Sequence, residues 1–253
     1  MTSTEQKIRL IELDTVDSTN NYAMQLIRGE SAVNGVAVLA QHQTSGKGQR
    51  GKIWKDEAGE SLNCSLIIET ERYDIKNHFH LIALTVIAIR KVVEATTHHP
   101  VHIKWPNDIY IGDRKVGGIL IESVTRGKEL KQAVIGFGIN VNQQLFEEAL
   151  PNPVSLRQLT GKTYNIKRLA EDCLNIMLKD LLQKTYPEVL SQYNKHLYKL
   201  HQTITVKDND VMITDTLKGV NEYGQLIIGD HTSKTYNPGE VQMILSHPDF
   251  SKS

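Results

Sequence analysis

The hydrophobic pattern of this chain changes after His201. Before that point apolar residues form long strand-like runs or recur at helical spacing. After it they form short runs separated by turn-forming pairs such as Tyr223-Gly224 and Pro238-Gly239. Roughly fifty residues of this kind are typical of a small SH3-like barrel. We therefore predict two domains, residues 1–200 and 201–253. The predicted barrel strands are 203–206, 211–220, 225–228 and 240–244.

Several stretches of the first 200 residues have helical spacing. Apolar residues between positions 79 and 93 lie three or four apart, which predicts the core-facing stripe of a long helix capped by Asp74. A shorter helix is predicted to begin at Asp17 or Ser18 and to stop at Gly29. Two further helices are predicted over 166–182 and 187–197.

Strand-like runs alternate with these helices. Residues 62–69 alternate apolar side chains with Asn63 and Ser65, which is the period of a strand. Helices combined with a mainly antiparallel or mixed sheet indicate an α+β fold, here a mixed sheet with flanking helices beside the small barrel. The other predicted strands are 36–40, 101–105, 108–111, 115–123 and 132–141.

Charge and cysteine content exclude several classes of protein. The 29 basic and 29 acidic residues balance, so whole-chain charge does not indicate a nucleic-acid or polybasic membrane binder. Cys64 and Cys173 are far apart and are typical of buried thiols in a reducing compartment. No apolar run approaches the roughly 18 residues that span a bilayer. We expect a cytoplasmic protein without a membrane partner. His98-His99 predicts a polar turn, so we expect no metal site.

A glycine-rich loop is the first segment that carries chemistry. Residues 46–52 alternate three glycines with cationic or amide side chains. Glycine lets the backbone approach a ligand and point N–H groups at it, and Lys47, Arg50 and Lys52 add positive charge for phosphates. The spacing matches neither the nucleotide P-loop nor the dinucleotide fingerprint. The loop predicts a phosphate cradle, with a flexible solvated loop as the alternative.

The second segment is Lys-Trp-Pro-Asn-Asp at 104–108, followed by a strand that begins near Lys115. Pro106 disfavours helix and marks a turn. Gly117 and Gly118 remove side-chain bulk from the strand, so a ligand could lie against its backbone. An ordinary hairpin with a solvated lysine is the alternative. Two weaker segments are 17–20, at a helix start, and 136–140, a glycine-bearing strand.

Taken in order, these segments resemble the biotin protein ligase family, also called biotin–acetyl-CoA-carboxylase ligases. Segment 104–108 matches that family's most specific motif without a change, and 18–20 resembles its biotin-contacting Ser-Thr-Asn. Segment 43–51 resembles its Gln-x-x-Gly-Arg-Gly-x-x-Gly loop, and 115–118 and 136–140 fall in register. The resemblance covers nearly the whole chain. It implies a class II synthetase-like ligase domain followed by the small barrel.

The resemblance implies a two-step reaction. Biotin, the substrate, attacks the α-phosphate of Mg·ATP to give biotinyl-5′-AMP, and a lysine of a biotin carboxyl carrier protein then attacks this mixed anhydride. Such chemistry brings two anions together, which requires fixed cations and backbone donors. The resemblance therefore implies ATP, Mg²⁺ and biotin as ligands, and the carrier protein as partner. A homodimer is left open.

The resemblance also implies site residues. Lys115 would contact both the carboxylate and the α-phosphate, Lys47 would hold phosphate, and Asp108 would orient or deprotonate the acceptor lysine. Asp108 could instead only stabilise its turn, and Trp54 could be a core anchor. The implied biotin-binding residues are Ser18, Thr19, Asn20, Gln43, Gly46, Lys47, Gly48, Gln49, Lys115, Gly118, Leu120, Gly136 and Gly138. The implied ATP-binding residues are Lys47, Arg50, Gly51, Trp54, Asn107, Lys115 and Asn140.

Two departures from the family pattern matter. Lys47 and Gln49 stand where bacterial relatives usually carry arginines, so the planar fork is lost at one position and the charge at the other. Regulatory relatives also carry a winged helix-turn-helix domain before the Ser-Thr-Asn segment, where this chain has few residues. We therefore expect no DNA partner. A lipoate or octanoate protein ligase or transferase of the same fold is the alternative enzyme, and a biotin-binding module without chemistry is the alternative class.

Overall fold

The larger part of the protein is built on a seven-stranded sheet. The computed structural model describes residues 8–29, 34–127, 129–148, 150, 152–230 and 232–245. The strands lie in the order β1-β2-β3-β7-β6-β5-β4, and β1 and β2 are parallel whereas the other neighbours are antiparallel. The strands are β1 (Arg9–Val16), β2 (Val36–Gln43), β3 (Ser61–Glu69), β4 (Val101–Lys104), β5 (Asp108–Ile111), β6 (Arg114–Arg126) and β7 (Glu129–Asn140).

Five helices accompany the described strands. The predicted α+β class and mixed sheet are confirmed, but β1 and the short helix α3 were not expected from the sequence. The helices are α1 (Thr19–Arg28), α2 (His78–Thr97), α3 (Leu156–Thr160), α4 (Ile166–Gln183) and α5 (Tyr186–Lys195). The predicted stop of α1 at Gly29 is confirmed, because the Gly29 N–H donates to Gln25 O at 2.9 Å.

The long helix α2 is the centre of the core. Fifteen of its 20 residues are buried, so the predicted stripe from Phe79 to Val93 is confirmed and is part of a wider apolar surface. The predicted cap is wrong. Asn77 rather than Asp74 caps the helix, since its side chain accepts from the His80 N–H at 2.8 Å. Residues 70–72 form a turn of 3₁₀ helix just before this segment, which moves the start of α2 three residues later.

Strand β3 is buried on both faces. The alternation with Asn63 and Ser65 is present in the sequence, yet both polar side chains are almost fully buried. Buried polar groups need hydrogen-bond partners, and these two find theirs in the site described below. The polar face of this strand is therefore not a solvent face.

A second sheet follows α5. Its five antiparallel strands lie in the order β11-β10-β9-β8-β12, which confirms a C-terminal β domain. The division after residue 200 stays a prediction. The strands are β8 (Thr203–Asp208), β9 (Val211–Val220), β10 (Leu226–Ile228), β11 (Lys234–Tyr236) and β12 (Val241–Ile244).

One turn of this second sheet docks on the first part of the chain. The Trp105 indole N–H donates to Gly224 O at 2.9 Å in a buried contact, and the Tyr186 hydroxyl donates to Glu222 O. The ring of Phe79 lies directly against Gly224, whose φ of 81° is left-handed. Trp105 of the most specific motif thus anchors the C-terminal sheet.

Two further predictions concern the whole chain. Cys64 and Cys173 are buried free thiols, as expected, and burial raises the pKa of both well above the usual range. Within the described residues no helix is long and apolar enough to cross a membrane.

Candidate active site

A cavity opens where the glycine-rich loop covers the middle of the seven-stranded sheet. Its volume is about 450 Å³, and it is lined by residues 44–48 and 51–53 of the loop together with Leu120 and Glu122 of β6. The loop is held on both sides, because the Trp54 N–H donates to Gly46 O at 2.9 Å and the Gly48 N–H donates to Lys52 O at 2.7 Å. The predicted loop residues Gly46, Lys47, Gly48 and Gly51 therefore meet Leu120 at one cavity.

A buried polar cluster lies at the start of α1. The Gln43 side-chain oxygen accepts from the Thr19 N–H at 2.8 Å and from its hydroxyl at 3.2 Å. Ser65 Oγ lies 2.8 Å from Thr19 Oγ1 and 2.7 Å from Asn20 Oδ1. The structure thus brings together Ser18, Thr19, Asn20 and Gln43, which are all buried. Ser65 was not predicted, and its place on the polar face of β3 was the only available signal.

The Ser18 side chain does not cap α1, although Ser18 occupies the N-cap position. The Asp17 carboxylate instead accepts from the Asn21 amide at 2.5 Å, and this bond lowers the pKa of Asp17. The predicted helix start is therefore correct, with Ser18 at the N-cap position but without a side-chain capping bond. Because Ser18 is buried without that bond, capping does not account for its burial.

Two glycines of β7 make room for the cluster and for the loop. A Cβ on Gly136 would collide with the Asn20 side chain, and a Cβ on Gly138 would lie 2.6 Å from the Trp54 ring. Interiors leave few voids, so such close approach requires glycine. Gly136 and Gly138 therefore position neighbouring site residues, and a direct contact with biotin stays a prediction.

Trp54 packs between the loop and the sheet. Its ring lies on Gly138 and its indole N–H donates to Asn63 Oδ1 at 2.9 Å. The Asn63 amide in turn donates to Asp56 at 2.7 Å. These contacts favour the anchoring interpretation of Trp54, and the adenine contact stays a prediction. Asn63 and Asp56 were missed in the sequence because neither lies within a predicted motif.

One acidic residue connects the loop with the buried cluster. Glu122 Oε1 lies 3.4 Å from Lys47 Nζ, while Glu122 Oε2 accepts from the Asn20 amide at 2.8 Å. Lys47 and Glu122 retain 40% and 31% exposure of their side chains, so an arriving anion can reach the lysine. Glu122 was not among the predicted site residues.

Lys115 and Asp108 form an ion pair at the turn after the Lys-Trp-Pro-Asn-Asp segment. The Lys115 Nζ to Asp108 Oδ1 distance is 2.7 Å, and both side chains are partly exposed. Gly118 is opposite Asp108 in the β5–β6 register, and a Cβ there would lie 3.0 Å from Asp108 Oδ1 and 3.4 Å from Lys115 Nζ. The glycine therefore leaves space for this pair, whereas the predicted ligand against the strand backbone stays a prediction.

The amides of Asn107 and Asn140 are used by the protein itself. Asn107 Nδ2 donates to Ile119 O at 2.5 Å, and Asn140 Nδ2 lies 3.3 Å from both Lys115 O and Val154 O. Both residues are buried. The structure therefore gives them roles in holding the turn and β6, and the expected ATP contacts stay predictions.

Arg50 points away from the cavity. It belongs to a short 3₁₀ segment with Gln49 and Gly51, where its φ of 57° is left-handed. Its guanidinium donates to Pro238 O and fills the space that a side chain on Gly239 would occupy. In this structure Arg50 is thus a contact to the C-terminal sheet, because the loop turns outward at this residue. Its expected phosphate contact stays a prediction.

The described residues contain no group of three or more His, Cys, Asp or Glu side chains that could hold a metal ion.

The fold and the motifs correspond to a known protein family. The family model for biotin/lipoate A/B protein ligases matches residues 12–140.

The chain belongs to the biotin/lipoate A/B protein ligase family.

This assignment confirms the resemblance drawn from the sequence. Among similar proteins, the bifunctional ligase/repressor BirA of Salmonella typhimurium is 30% identical over 238 residues, which cover 91% of this chain and 73% of that protein. The biotin–[acetyl-CoA-carboxylase] ligase of Paracoccus denitrificans is 29% identical over 153 residues, or 59% of this chain and 63% of that protein. Among solved structures, the biotin protein ligase from Aquifex aeolicus in complex with biotin and ATP is similar, with a TM-score of 0.79 and 27% identity. That match covers 94% of this chain and 99% of the other.

Proposed function

We propose that this protein is an ATP-dependent biotin protein ligase that forms biotinyl-5′-AMP and transfers the biotinyl group to a lysine of a biotin carboxyl carrier protein. One juxtaposition carries the proposal. A buried, uncharged polar cluster around Thr19 and Asn20 adjoins a cavity bordered by a cationic glycine loop. The cluster suits a neutral ring with donors and acceptors, whereas the loop suits phosphates. A single site that needs both is typical of acyl-adenylate formation.

In the first step the protein supplies cations and backbone donors. Lys115 would leave Asp108 to contact the biotin carboxylate and the α-phosphate, and Lys47 would leave Glu122 to contact phosphate oxygens. Both ion pairs are partly exposed, so exchanging them for a phosphate costs little. The carboxylate oxygen then attacks the α-phosphorus and pyrophosphate leaves. Mg²⁺ would arrive with ATP, because it usually binds mainly to phosphate oxygens and water.

The loop would keep water from the adenylate. Residues 44–48 and 51–53 already border the cavity, and the hydrogen bonds at Gly46 and Gly48 fix their backbone. Excluding water prevents hydrolysis of a reactive anhydride and strengthens the remaining electrostatic contacts. We therefore propose that the loop residues predicted to bind ligand act by enclosing the adenylate.

In the second step Asp108 would receive the acceptor lysine. The acceptor Nζ attacks the anhydride carbonyl carbon, the new C–N bond forms, and the C–O bond to AMP breaks. The amine proton passes to Asp108 or to solvent. Once Lys115 has turned to the phosphate, the Asp108 carboxylate is free to orient the amine.

Intact-mass analysis tests the proposal. The protein is incubated with Mg·ATP, a biotin carboxyl carrier domain, and biotin, lipoate or octanoate in turn. We expect one biotinyl group on the acceptor lysine, no product without ATP, and no product when that lysine is replaced by arginine. Transfer of lipoate or octanoate with none of biotin would contradict the biotin assignment and support the alternative enzyme.

A further inference from the structure

Lys104 is a second lysine beside Asp108, and no step above uses it. It is the last residue of β4 and lies directly opposite Asp108 in the β4–β5 register. Directly opposite residues of an antiparallel pair project from the same face of the sheet. Lys104 and Lys115 therefore approach the Asp108 carboxylate from the two neighbouring strands, β4 and β6.

Within the described residues the Lys104 ammonium has no hydrogen bond or ion pair. It makes a cation–π contact with the ring of Tyr110, whose centroid lies 5.3 Å from Lys104 Nζ. Asp108, the nearest acidic partner, is engaged by Lys115 at 2.7 Å. A half-buried ammonium without an ion pair of its own is costly, which indicates that its charge is used.

The charged and titratable groups around Lys104 come from three elements. Asp108 and Tyr110 belong to β5, Lys115 belongs to β6, and Lys52 belongs to the glycine-rich loop. Burial lowers the pKa of Lys104, the two other lysines lower it further, and Asp108 opposes them. Lys104 therefore has two cations and one carboxylate as its charged neighbours.

We propose that Lys104 is a positioning residue for the transfer step, whose positive charge keeps the acceptor lysine arriving at Asp108 in its neutral, nucleophilic form. The inference rests on the proposed function, because it concerns the same acceptor lysine. A protonated amine has no lone pair to attack the anhydride. A neighbouring fixed cation disfavours protonation of an arriving amine.

The size of the effect follows from Coulomb's law. A unit charge roughly 6 Å away, at an effective dielectric constant of about 40–80 for a site open to water, shifts a titration by about 0.5–1 pH unit. Removing the charge should therefore move the acidic limb of the transfer rate upward by that amount. At pH 7 this corresponds to a loss of roughly three- to tenfold, and the loss should disappear only above about pH 10.5, where the acceptor amine is neutral in either protein.

The experiment isolates the transfer step. Preformed biotinyl-5′-AMP and a biotin carboxyl carrier domain are mixed with excess enzyme, and the single-turnover rate is measured from about pH 6 to 11, which spans the ordinary pKa of a lysine. The variants are Lys104→Met, which keeps length without charge, and Lys104→Arg, which keeps charge. Lys199→Met is the matched control, since Lys199 lies 5.4 Å over the ring of Tyr198 in the same kind of contact but is not paired with Asp108 in the sheet.

We expect the acidic limb to shift upward in Lys104→Met alone, with recovery of the rate at high pH, which also demonstrates an intact fold. A uniform loss at every pH would overturn the inference and indicate that Lys104 binds substrate directly. An unshifted profile with a normal rate would also overturn it. Biotin-dependent pyrophosphate release by the unaltered protein is measured in parallel. Its absence would remove the proposed function, whereas normal release with an unshifted profile removes only the role of Lys104.

Discussion

Lys115 forms an ion pair with Asp108, and in the proposed reaction it must leave this carboxylate to contact phosphate. Its ammonium lies 2.7 Å from Asp108, and the neighbouring Gly118 supplies no side chain that would close off the pair. Partly exposed ion pairs contribute little to stability, typically about 0–1 kcal/mol. The lysine is thus held in place weakly enough to exchange its partner for a phosphate.

Lys115→Ala should impair adenylate formation far more than folding. Losing a charged hydrogen bond in a site shielded from water corresponds to about 1.5–3 kcal/mol, or roughly a 10- to 150-fold slower pyrophosphate release. Lys167→Ala is a suitable control, because Lys167 also forms an ion pair with a carboxylate, that of Glu12, at the surface. Near-normal pyrophosphate release by Lys115→Ala would exclude this lysine from the first step.

Gln49 should weaken retention of the adenylate. The residue lies in the outward turn of the loop between Gly48 and Arg50, where a cation would be close to the cavity. We expect Gln49→Arg to release labelled biotinyl-5′-AMP about two- to tenfold more slowly, which is the range for a screened contact. Gln49→Leu separates charge from size and should not retain the adenylate better than Gln49. Equal dissociation rates for all three proteins at low and moderate salt would show that position 49 is not part of the site.

At the scale of single elements, the N-terminal turn of α2 contains a buried histidine. The His80 side chain stacks on Tyr186 at 4.5 Å, and its Nδ1 accepts from the Lys76 N–H at 3.3 Å. Its Nε2 has no partner within the described chain. Burial lowers the pKa of His80 to about 4. The neutral ring is therefore the form that the folded protein holds.

This histidine should make the free energy of unfolding depend on pH. The unfolded chain binds a proton near pH 6.5 and the folded chain only near pH 4, so stability is complete above pH 6.5 and falls as the pH falls through this window. The loss should reach up to about 3 kcal/mol near pH 4. Urea titrations at pH 7.5 and 5 on the native protein and on His80→Asn measure it. An equal loss in both proteins would contradict the assignment.

The sequence predicted elements well wherever one side of an element faces the core. Strand β5 and the long strand β9 have the predicted bounds, because alternation and turn residues fix both ends. Strand β1 was missed, since its exposed positions interrupt the apolar pattern. Strand β3 was recognised, but the burial of Ser65 and Asn63 depends on α1 and Trp54, which approach from distant parts of the chain.

The same limit applies to the site. Residues within contiguous motifs, such as Gln43 and Lys115, could be proposed for the site from the sequence, because a motif contains several neighbouring residues at once. Ser65 and Asp56 enter the site through strand register and loop closure. Lys104 belongs to the 104–108 motif, but its approach to Asp108 depends on the β4–β5 register. The spacing of residues along the sequence does not reveal those contacts. The contacts of Asn107 and Asn140 with backbone carbonyls were likewise not visible until β6 was in place.

For the molecule as a whole, the docking of the C-terminal sheet depends on a few buried polar contacts. The Trp105 indole satisfies Gly224 O, and Tyr186 satisfies the adjacent Glu222 O. Trp105→Phe should leave a buried carbonyl without a donor, which costs about 1–3 kcal/mol. In a protein of this size that corresponds to a melting temperature lower by roughly 2–10 °C.

Differential scanning calorimetry tests this expectation. Tyr223→Phe is the control, because Tyr223 lies in the same turn but its side chain is 70% exposed. An unchanged melting temperature in Trp105→Phe would show that the indole contact does not hold the sheet.

Arg50 joins the glycine-rich loop to the C-terminal sheet by a contact between residues far apart in the sequence. Its guanidinium contacts Gly239 and donates a hydrogen bond to Pro238 O, which lies 188 positions later in the sequence. The loop residues beside Arg50 border the cavity. The outer end of the loop is therefore supported by a surface that belongs to the other sheet. A chimaera that carries the C-terminal sheet of a relative must therefore place a proline carbonyl and a glycine at these two positions. Any side chain at position 239 would displace the Arg50 guanidinium, and the outer end of the loop would lose this contact.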